Sequence, residues 1–153
     1  MLIVILLVVA VVLVAAGLIT WIRRASACQR IIGAPDGESE LQCYGGVMCK
    51  ALTTSGSMVR LDLFDWGIRI RGIPVSRWIV PRWEARYEEL AIAELVATPF
   101  SRNAIWFRLR GEPGGMGFLS TRSPDILKAL ERHEVPVNRS VLQIKSVADM
   151  YSR

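Results

Sequence analysis

The sequence predicts an N-terminal transmembrane helix followed by a mainly β domain that ends in an amphipathic α-helix. Residues 1–22 contain no charged side chain. Short segments of alternating apolar and polar residues, separated by turn signals, begin at residue 44, and Ser-Pro-Asp at 123–125 opens a helical pattern. The chain has 153 residues, which leaves about 130 residues beyond the span, enough for one domain of ordinary size.

The apolar run at residues 1–22 is long enough to cross a bilayer. An α-helix of this length reaches about 30 Å, the thickness of the hydrocarbon core, and satisfies its own backbone hydrogen bonds there. No basic residue precedes the run, and Arg23 and Arg24 separate it from residues 25–28, Ala-Ser-Ala-Cys, which look like a cleavage site or a poor lipobox. These flanks favour a retained signal anchor over a cleaved signal peptide.

The flanking charges also predict which side of the cell membrane the domain occupies. Because Arg23 and Arg24 follow the span, the positive-inside rule places the C-terminal domain in the cytoplasm, with Trp21 at the bilayer interface beside them. Three cysteines are an odd number without a disulfide framework, which suits a reducing compartment. The alternative is a secreted or lipidated extracytoplasmic binding protein that is released from a signal peptide.

Residues 23–43 are predicted to form a juxtamembrane linker, because they are rich in Gly, Pro, Ser and acidic residues and show no period. About 18 flexible residues span roughly 25 Å, which keeps the following domain close to the bilayer. The domain itself is expected at residues 44–137, and its first strand at residues 47–52.

The clearest β-hairpin lies at residues 58–71. Residues 58–64 alternate apolar and polar side chains, residues 65–67 (Asp-Trp-Gly) form a tight turn, and residues 68–71 alternate again. The polar positions of the hairpin and of the region after it predict an exposed basic face, comprising Arg60, Arg69, Arg71, Arg77, Arg82 and Arg86.

The remaining strands are expected at residues 83–87, 104–109 and 116–120, the last two joined by a Gly-rich hairpin loop. Residues 88–97 are ambiguous. Their Ala, Glu and Leu content favours a helix, whereas their length and their position between strand-like segments favour a turn followed by a strand, which we adopt.

The closing helix is predicted to begin at Ser123, with the serine as N-cap, Pro at the first helical position and Asp125 near the positive end of the dipole. Ile126, Leu127 and Leu130 form its apolar stripe. Residues 138–153 are a C-terminal tail without a decisive period, which can hold a short extra helix.

The LDLFDWGIRI hairpin, the aromatic and acidic WEARYEEL segment and the SPDILKALERHEVPV helix succeed one another within residues 44–137. This order of about seven short antiparallel strands and a closing helix resembles the pleckstrin-homology-like (PH-like) fold. The resemblance implies a bent barrel of two near-orthogonal sheets, capped at one open end by the helix, and a binding module for phosphoinositides or proteins. The alternatives are another small β-barrel with a terminal helix, or an α+β sandwich if residues 88–97 are helical.

The lipid-binding members of that fold carry a Lys late in the first strand and an Arg-x-Arg in the second. Lys50 can stand for the lysine, but the second strand reads Arg60-Leu61-Asp62, and Asp62 would repel a phosphate. The expected partner is therefore a protein, with weak contact to anionic lipid and no nucleic acid. Trp106 joins the candidate face because it alternates with two apolar neighbours. The candidate binding face is Arg60, Arg69, Arg71, Trp106 and Arg108.

The sequence predicts no catalytic residue, no cofactor and no metal site. His133 is the single histidine and has no nucleophile near it in the pattern. Cys43 and Cys49 lack the second ligand pair that zinc needs, and the Gly-rich stretch at residues 111–117 matches no nucleotide-binding motif. The net charge of +5 lies outside the anchor and suits attraction to anionic headgroups. The sequence thus predicts a single-pass, membrane-anchored, non-catalytic interaction module.

Overall fold

The computed structural model describes residues 1–50, 52–99 and 101–152, apart from the side chains of Leu2, Arg24, Ala25 and Arg102. The side chain of Arg24, predicted at the bilayer interface, therefore lies outside the described part. The elements of the described residues are, in chain order, α1 (Leu2–Ser26), β1 (Leu41–Cys49), β2 (Leu52–Thr53), β3 (Val59–Leu63), β4 (Gly67–Gly72), β5 (Trp83–Arg86), a 3-10 turn (Tyr87–Glu89), β6 (Leu90–Thr98), β7 (Ser101–Leu109), β8 (Gly115–Leu119), α2 (Ser123–Arg132), β9 (Val137–Gln143) and α3 (Ala148–Tyr151).

Helix α1 confirms the predicted apolar helix and continues beyond residue 22 to Ser26. Its stretch Ile3–Arg23 is long and apolar enough to cross a membrane, a property that a transmembrane anchor and a signal sequence share. The most apolar part of this stretch is not buried inside the protein. Over that part of the helix, the side chains that the structure describes are exposed.

The β-strands form one path of hydrogen-bonded neighbours in the order β5-β4-β3-β1-β8-β7-β6-β9, with β2 paired to β1. Strand β1 is shared: Leu41–Gly45 pair with β3, whereas Gly46–Met48 pair with β8. Strand β1 therefore divides the path into a first half-sheet (β1, β3, β4 and β5) and a second half-sheet (β6, β7, β8 and the end of β1). The neighbours are antiparallel except β6 and β9, which run parallel.

The predicted mainly β domain is confirmed, but the expected barrel is not closed. Both edges that would have to meet already have other partners. Strand β6 pairs with β9, which comes from the tail, and β5 meets the juxtamembrane segment through a bridge between Arg30 and Trp83. The result is an open sheet in which the tail and the juxtamembrane segment take up the edges.

One apolar core joins the two half-sheets and helix α2. Leu61 of β3, Phe107 of β7 and Leu130 of α2 belong to the same buried cluster. The predicted stripe of α2 is thus confirmed, since Ile126, Leu127 and Leu130 are buried. Ser123 does not act as the predicted N-cap, because its hydroxyl donates hydrogen bonds to the carbonyl oxygens of Asn103 and Ser120, both at 2.8 Å.

Residues 88–97 form a turn and then a strand, as predicted. The 3-10 turn Tyr87–Glu89 leads directly into β6. Strand β6 is hydrogen-bonded on both sides, to β7 and to β9, and it buries Leu90, Ala93 and Val96. Pairing on two sides outweighs the helical preference of its Ala, Glu and Leu residues, as tertiary context often does.

The juxtamembrane segment is bound to the domain, so the prediction of a flexible linker is wrong. A disulfide joins Cys28 to Cys49, while Cys43 is a buried free thiol. The Arg30 N–H donates to the carbonyl oxygen of Arg82 at 3.0 Å, and the Glu84 N–H donates to that of Arg30 at 2.8 Å. Isolated contacts of this kind leave no period in the sequence. The expectation of cysteines without a disulfide is likewise corrected.

Candidate functional site

The predicted basic face lies on the outer side of the first half-sheet, opposite the core. Tyr44, Arg60 and Arg71 are register partners across β1, β3 and β4. A second row runs through Asp62 and Arg69, which are paired between β3 and β4. Because register partners project from the same side of a sheet, Arg60, Arg69 and Arg71 do share one face.

Arg69 is fully buried on that face, so its predicted exposure is wrong (0% exposed). Its Nε donates to Glu84 Oε1 at 2.7 Å, and its Nη2 donates to the carbonyl oxygen of Ala34 at 2.9 Å. Asp36 forms an ion pair with it, and its guanidinium lies 5.0 Å from the ring centroid of Phe64. The juxtamembrane segment covers Arg69 and makes it a structural residue.

Trp106 and Arg108 lie on the outer side of the second half-sheet, apart from the arginines of β3 and β4. Trp106 is also fully buried rather than exposed (0% exposed), because Ile144 and Met150 of the tail pack over it. Its ring meets that of Tyr151 edge-on, with centroids 5.5 Å apart. Arg108 is half-buried and donates to Glu94 Oε2 at 3.0 Å. These two residues do not form one surface with Arg60 and Arg71.

A cleft of about 430 Å³ occupies the remaining open end of the first half-sheet. We call it the arginine cleft. Its polar side chains come from β1, β3, β4 and the β4–β5 loop (residues 73–82), and its walls are completed by apolar and backbone groups of that loop. The polar lining is Tyr44, Arg60, Arg71, Arg77 and Arg82. Of the three arginines predicted on the basic face after the hairpin, Arg77 and Arg82 line the cleft and Arg86 does not. Tyr44 was not predicted, because it precedes the first strand expected from the sequence.

Two buried carboxylates hold three of these arginines in place. Asp62 Oδ2 lies 3.0 Å from Arg60 Nε and 3.3 Å from Arg71 Nε. Arg82 Nε donates to Glu84 Oε1 at 2.7 Å, and the same oxygen also accepts a hydrogen bond from Arg69 Nε. Asp62 therefore lies beneath the arginines and orients them; it is not an exposed acid that repels ligands.

The charges of the cleft do not cancel. Four guanidinium groups line it, while its two carboxylates are buried and one of them is shared with Arg69. Arg77 is exposed and makes no ion pair with any residue that the structure describes. The arrangement therefore leaves net positive charge around the cleft, which suits an anionic group.

The pKa of Glu84 reflects its place beneath the cleft. Burial raises the pKa of this carboxyl group. Hydrogen bonds from Arg82, from the backbone N–H of Ile32 and from Arg69 outweigh burial and hold the pKa below its ordinary value. Glu84 therefore stays ionised and keeps Arg82 at the cleft wall.

The C-terminal end of α1, which holds the predicted membrane-interface residues, lines an apolar cavity that the sequence did not predict. Trp21, with 37% of its surface exposed, and the exposed Arg23 lie near the C-terminal end of α1. Leu18, Trp21 and Ile22 share an apolar cavity of about 420 Å³ with three residues of the β4–β5 loop, Val75, Trp78 and Ile79. A sequence signal existed, since large apolar residues recur between Pro74 and Pro81.

The described residues hold no group of three or more His, Cys, Asp or Glu side chains that could hold a metal ion. His133 is a structural contact: its Nε2 lies 2.7 Å from Glu40 Oε2, and its ring stacks on that of Tyr87 with centroids 4.1 Å apart. Neither a protein-family model nor a curated protein sequence matches this chain. The function is therefore inferred from the arginine cleft and from the cavity between α1 and the β4–β5 loop.

Proposed function

We propose that this protein is a single-pass, membrane-anchored and non-catalytic binding module, whose arginine cleft takes an anionic group presented at the membrane surface. The observation that carries the proposal is the uncompensated charge of the cleft, with Arg77 free and three further arginines fixed by buried acids. Pre-oriented guanidinium groups bind phosphate or carboxylate with less loss of side-chain entropy than free ones.

The PH-like resemblance is part of the same proposal. It is supported by the order in which β1, β3, β4 and β5 form one half-sheet, β6, β7 and β8 form the other, and α2 follows and packs on the shared core. A fold of this kind does not itself identify a ligand, so the choice between a phosphate and a carboxylate group is left to the binding experiment.

The proposal is tested by titrating the full-length chain, in a neutral detergent, with pyrophosphate and separately with a short polyglutamate peptide. Arg77→Gln should weaken binding about fivefold, as expected for the loss of about 1 kcal/mol of electrostatic attraction. Arg86→Gln is the matched control, because Arg86 is exposed, its charge lies near Glu88 and Glu89 outside the cleft, and it pairs with the far end of β4. Equal affinities for both variants would refute the cleft.

We place the domain at the cytoplasmic face, as Arg23 and Arg24 predict. A second candidate is an extracytoplasmic binding protein, either anchored or released from a signal peptide. The disulfide between Cys28 and Cys49 favours it, because disulfides persist mainly in oxidising compartments.

A thiol reagent separates the two placements if it has an accessible target. Cys43 is buried and Cys28 and Cys49 are bonded, so the native cysteines offer no accessible thiol while that bond is intact, and labelling of the native chain in parallel measures their background. Ser57→Cys adds a thiol in the exposed turn before β3. Labelling by an impermeant maleimide only after lysis supports the cytoplasmic placement, whereas labelling of intact cells establishes the extracytoplasmic one. The mass of the mature chain shows whether α1 is retained.

A further inference from the structure

The β4–β5 loop exposes two large apolar side chains at its tip. Val75 is 72% exposed and Trp78 is 81% exposed. A soluble surface seldom gathers such side chains without a binding role. By contrast, Val80 at the other end of the same loop is buried in the core.

The loop holds this tip in a defined position. The Ser76 N–H donates to the carbonyl oxygen of Ile73 at 2.9 Å, and the Val80 N–H donates to that of Ser76 at 2.9 Å. The Ser76 hydroxyl also donates to the carbonyl oxygen of Met58. A Cβ atom at Gly72 would lie 2.7 Å from the Ser76 carbonyl oxygen, so the backbone packs too closely there for a larger residue. The outward position of Trp78 is therefore built into the loop.

The loop tip continues the apolar surface of α1. Trp78 and Val75 line the same cavity as Trp21 and Ile22, which are among the last residues of the stretch that is long and apolar enough to cross a membrane. Indole side chains prefer the membrane–water interface. The two tryptophans thus come from different elements but line one apolar cavity between the helix end and the loop.

The loop carries positive charge next to its apolar tip. Arg77 lies beside Trp78 in sequence and lines the arginine cleft together with Arg71 and Arg82. An apolar tip next to a cationic cleft matches the arrangement of acyl chains beneath phosphate groups, and basic residues near such a surface attract anionic lipid.

We infer that the β4–β5 loop is a second membrane contact, which inserts Val75 and Trp78 into the interfacial layer of the bilayer beside Trp21, and that the arginine cleft then receives the phosphate of an anionic headgroup. This inference rests on the proposed function for its cleft and on a retained α1 for its position. The occupant of the shared cavity is the lipid of the bilayer that α1 spans. The disulfide and the bound juxtamembrane segment fix the domain on the helix end, so that the loop meets the membrane in one orientation.

The insertion is tested on the full-length chain in lipid nanodiscs. Val75→Cys, labelled with a polarity-sensitive fluorophore, should show a blue-shifted emission and lose intensity when the nanodisc contains lipids with a spin label near the headgroup. Asp65→Cys, in the exposed turn at the opposite end of the β3–β4 hairpin from the loop, is the control and should report water in every nanodisc. A label at position 75 that behaves like the control would overturn the inference.

The lipid composition separates failure of the inference from failure of the proposed function. Insertion of the tip should occur in zwitterionic nanodiscs and deepen when anionic lipid is added, and Arg77→Gln should remove only the anionic increment. A label in water combined with tight binding of polyglutamate would mean that the cleft serves a protein partner and that the loop does not insert. A label in the bilayer with no effect of Arg77→Gln would support the insertion and refute the cleft.

Discussion

The two outer faces of the sheet are both covered by flanking chain, but by different chemistry. On the first half-sheet, the juxtamembrane segment covers Arg69 with backbone carbonyl groups and Asp36. On the second half-sheet, the tail covers Trp106 with Ile144, Met150 and Tyr151. The polar cover is partial and leaves the arginine cleft open beside it, whereas the apolar cover buries its face.

The comparison shows that alternation along a strand identifies the outer face but not its exposure. Arg69 and Trp106 both lie on the side that their alternation predicts, and both are fully buried. The predicted binding face therefore divides into two covered residues, the half-buried Arg108, and Arg60 and Arg71 in the open cleft. The proposed binding surface is this cleft.

The largest expected effect comes from the apolar cover. Trp106→Ala should reduce the free energy of unfolding by about 3–5 kcal/mol, because it removes a fully buried aromatic side chain and leaves a cavity beneath the tail. Urea unfolding of the full-length chain in a neutral detergent measures this. Trp78→Ala is the matched control, since Trp78 is exposed, and should stay within about 0.5 kcal/mol. Equal losses would mean that the tail does not cover the second half-sheet.

The polar cover should give a smaller but clear loss. Arg69→Ala leaves the buried Glu84 without one of its partners, and breaking a buried ion pair costs about 3–5 kcal/mol. We expect the lower end, about 3 kcal/mol, because Glu84 keeps Arg82 and the Ile32 N–H. The same urea unfolding experiment measures this loss, with Arg86→Ala as the control at an exposed arginine. A loss below 1 kcal/mol would show that the juxtamembrane segment does not bury Arg69.

A weaker, pH-dependent contact fixes the end of the juxtamembrane segment to α2. A hydrogen bond from His133, together with the charge of Arg132, lowers the pKa of Glu40 although burial raises it. Because the pKa of the folded state lies below the unfolded value, this contact contributes stability above about pH 4.5 and loses it as the pH falls through the lowered pKa.

Unfolding of the full-length chain between pH 3 and 6 tests this contact. Glu40→Gln should flatten that part of the stability profile, whereas Glu38→Gln should leave it unchanged, since Glu38 is exposed and forms no ion pair with a described residue. Identical profiles for the native chain and Glu40→Gln would contradict the contact.

The sequence predicted what depends on local pattern and missed what depends on distant contacts. The apolar helix, the β3–β4 hairpin and the stripe of α2 each follow from their own residues. Strand β6 was identified from its position rather than its composition. The cover over Arg69 could not be predicted, because it uses single backbone groups of Ala34 and residues near it that carry no periodic signal.

Part of the arginine cleft was predictable from the local pattern of its strands. Arg60 and Arg71 follow from strand alternation, and Asp62 was noticed between them. Its role was misjudged, because only the structure shows that Asp62 lies buried beneath both guanidinium groups. Arg77 and Arg82 reach the cleft through the conformation of the β4–β5 loop, which alternation does not describe.

The proposed ligand of the arginine cleft is an anionic group, held by positive charge that the buried Asp62 and Glu84 leave uncompensated. The most direct test compares pyrophosphate affinity in two variants that change this charge in opposite directions, with near-ultraviolet circular dichroism as the check on folding. Asp62→Asn should bind more tightly than the native chain, because it removes a buried negative charge while the amide oxygen can still accept a hydrogen bond from Arg60 and keep it oriented. Arg77→Gln should bind about fivefold more weakly. Unchanged affinity in both folded variants would show that the arginine cleft is not the anion-binding site.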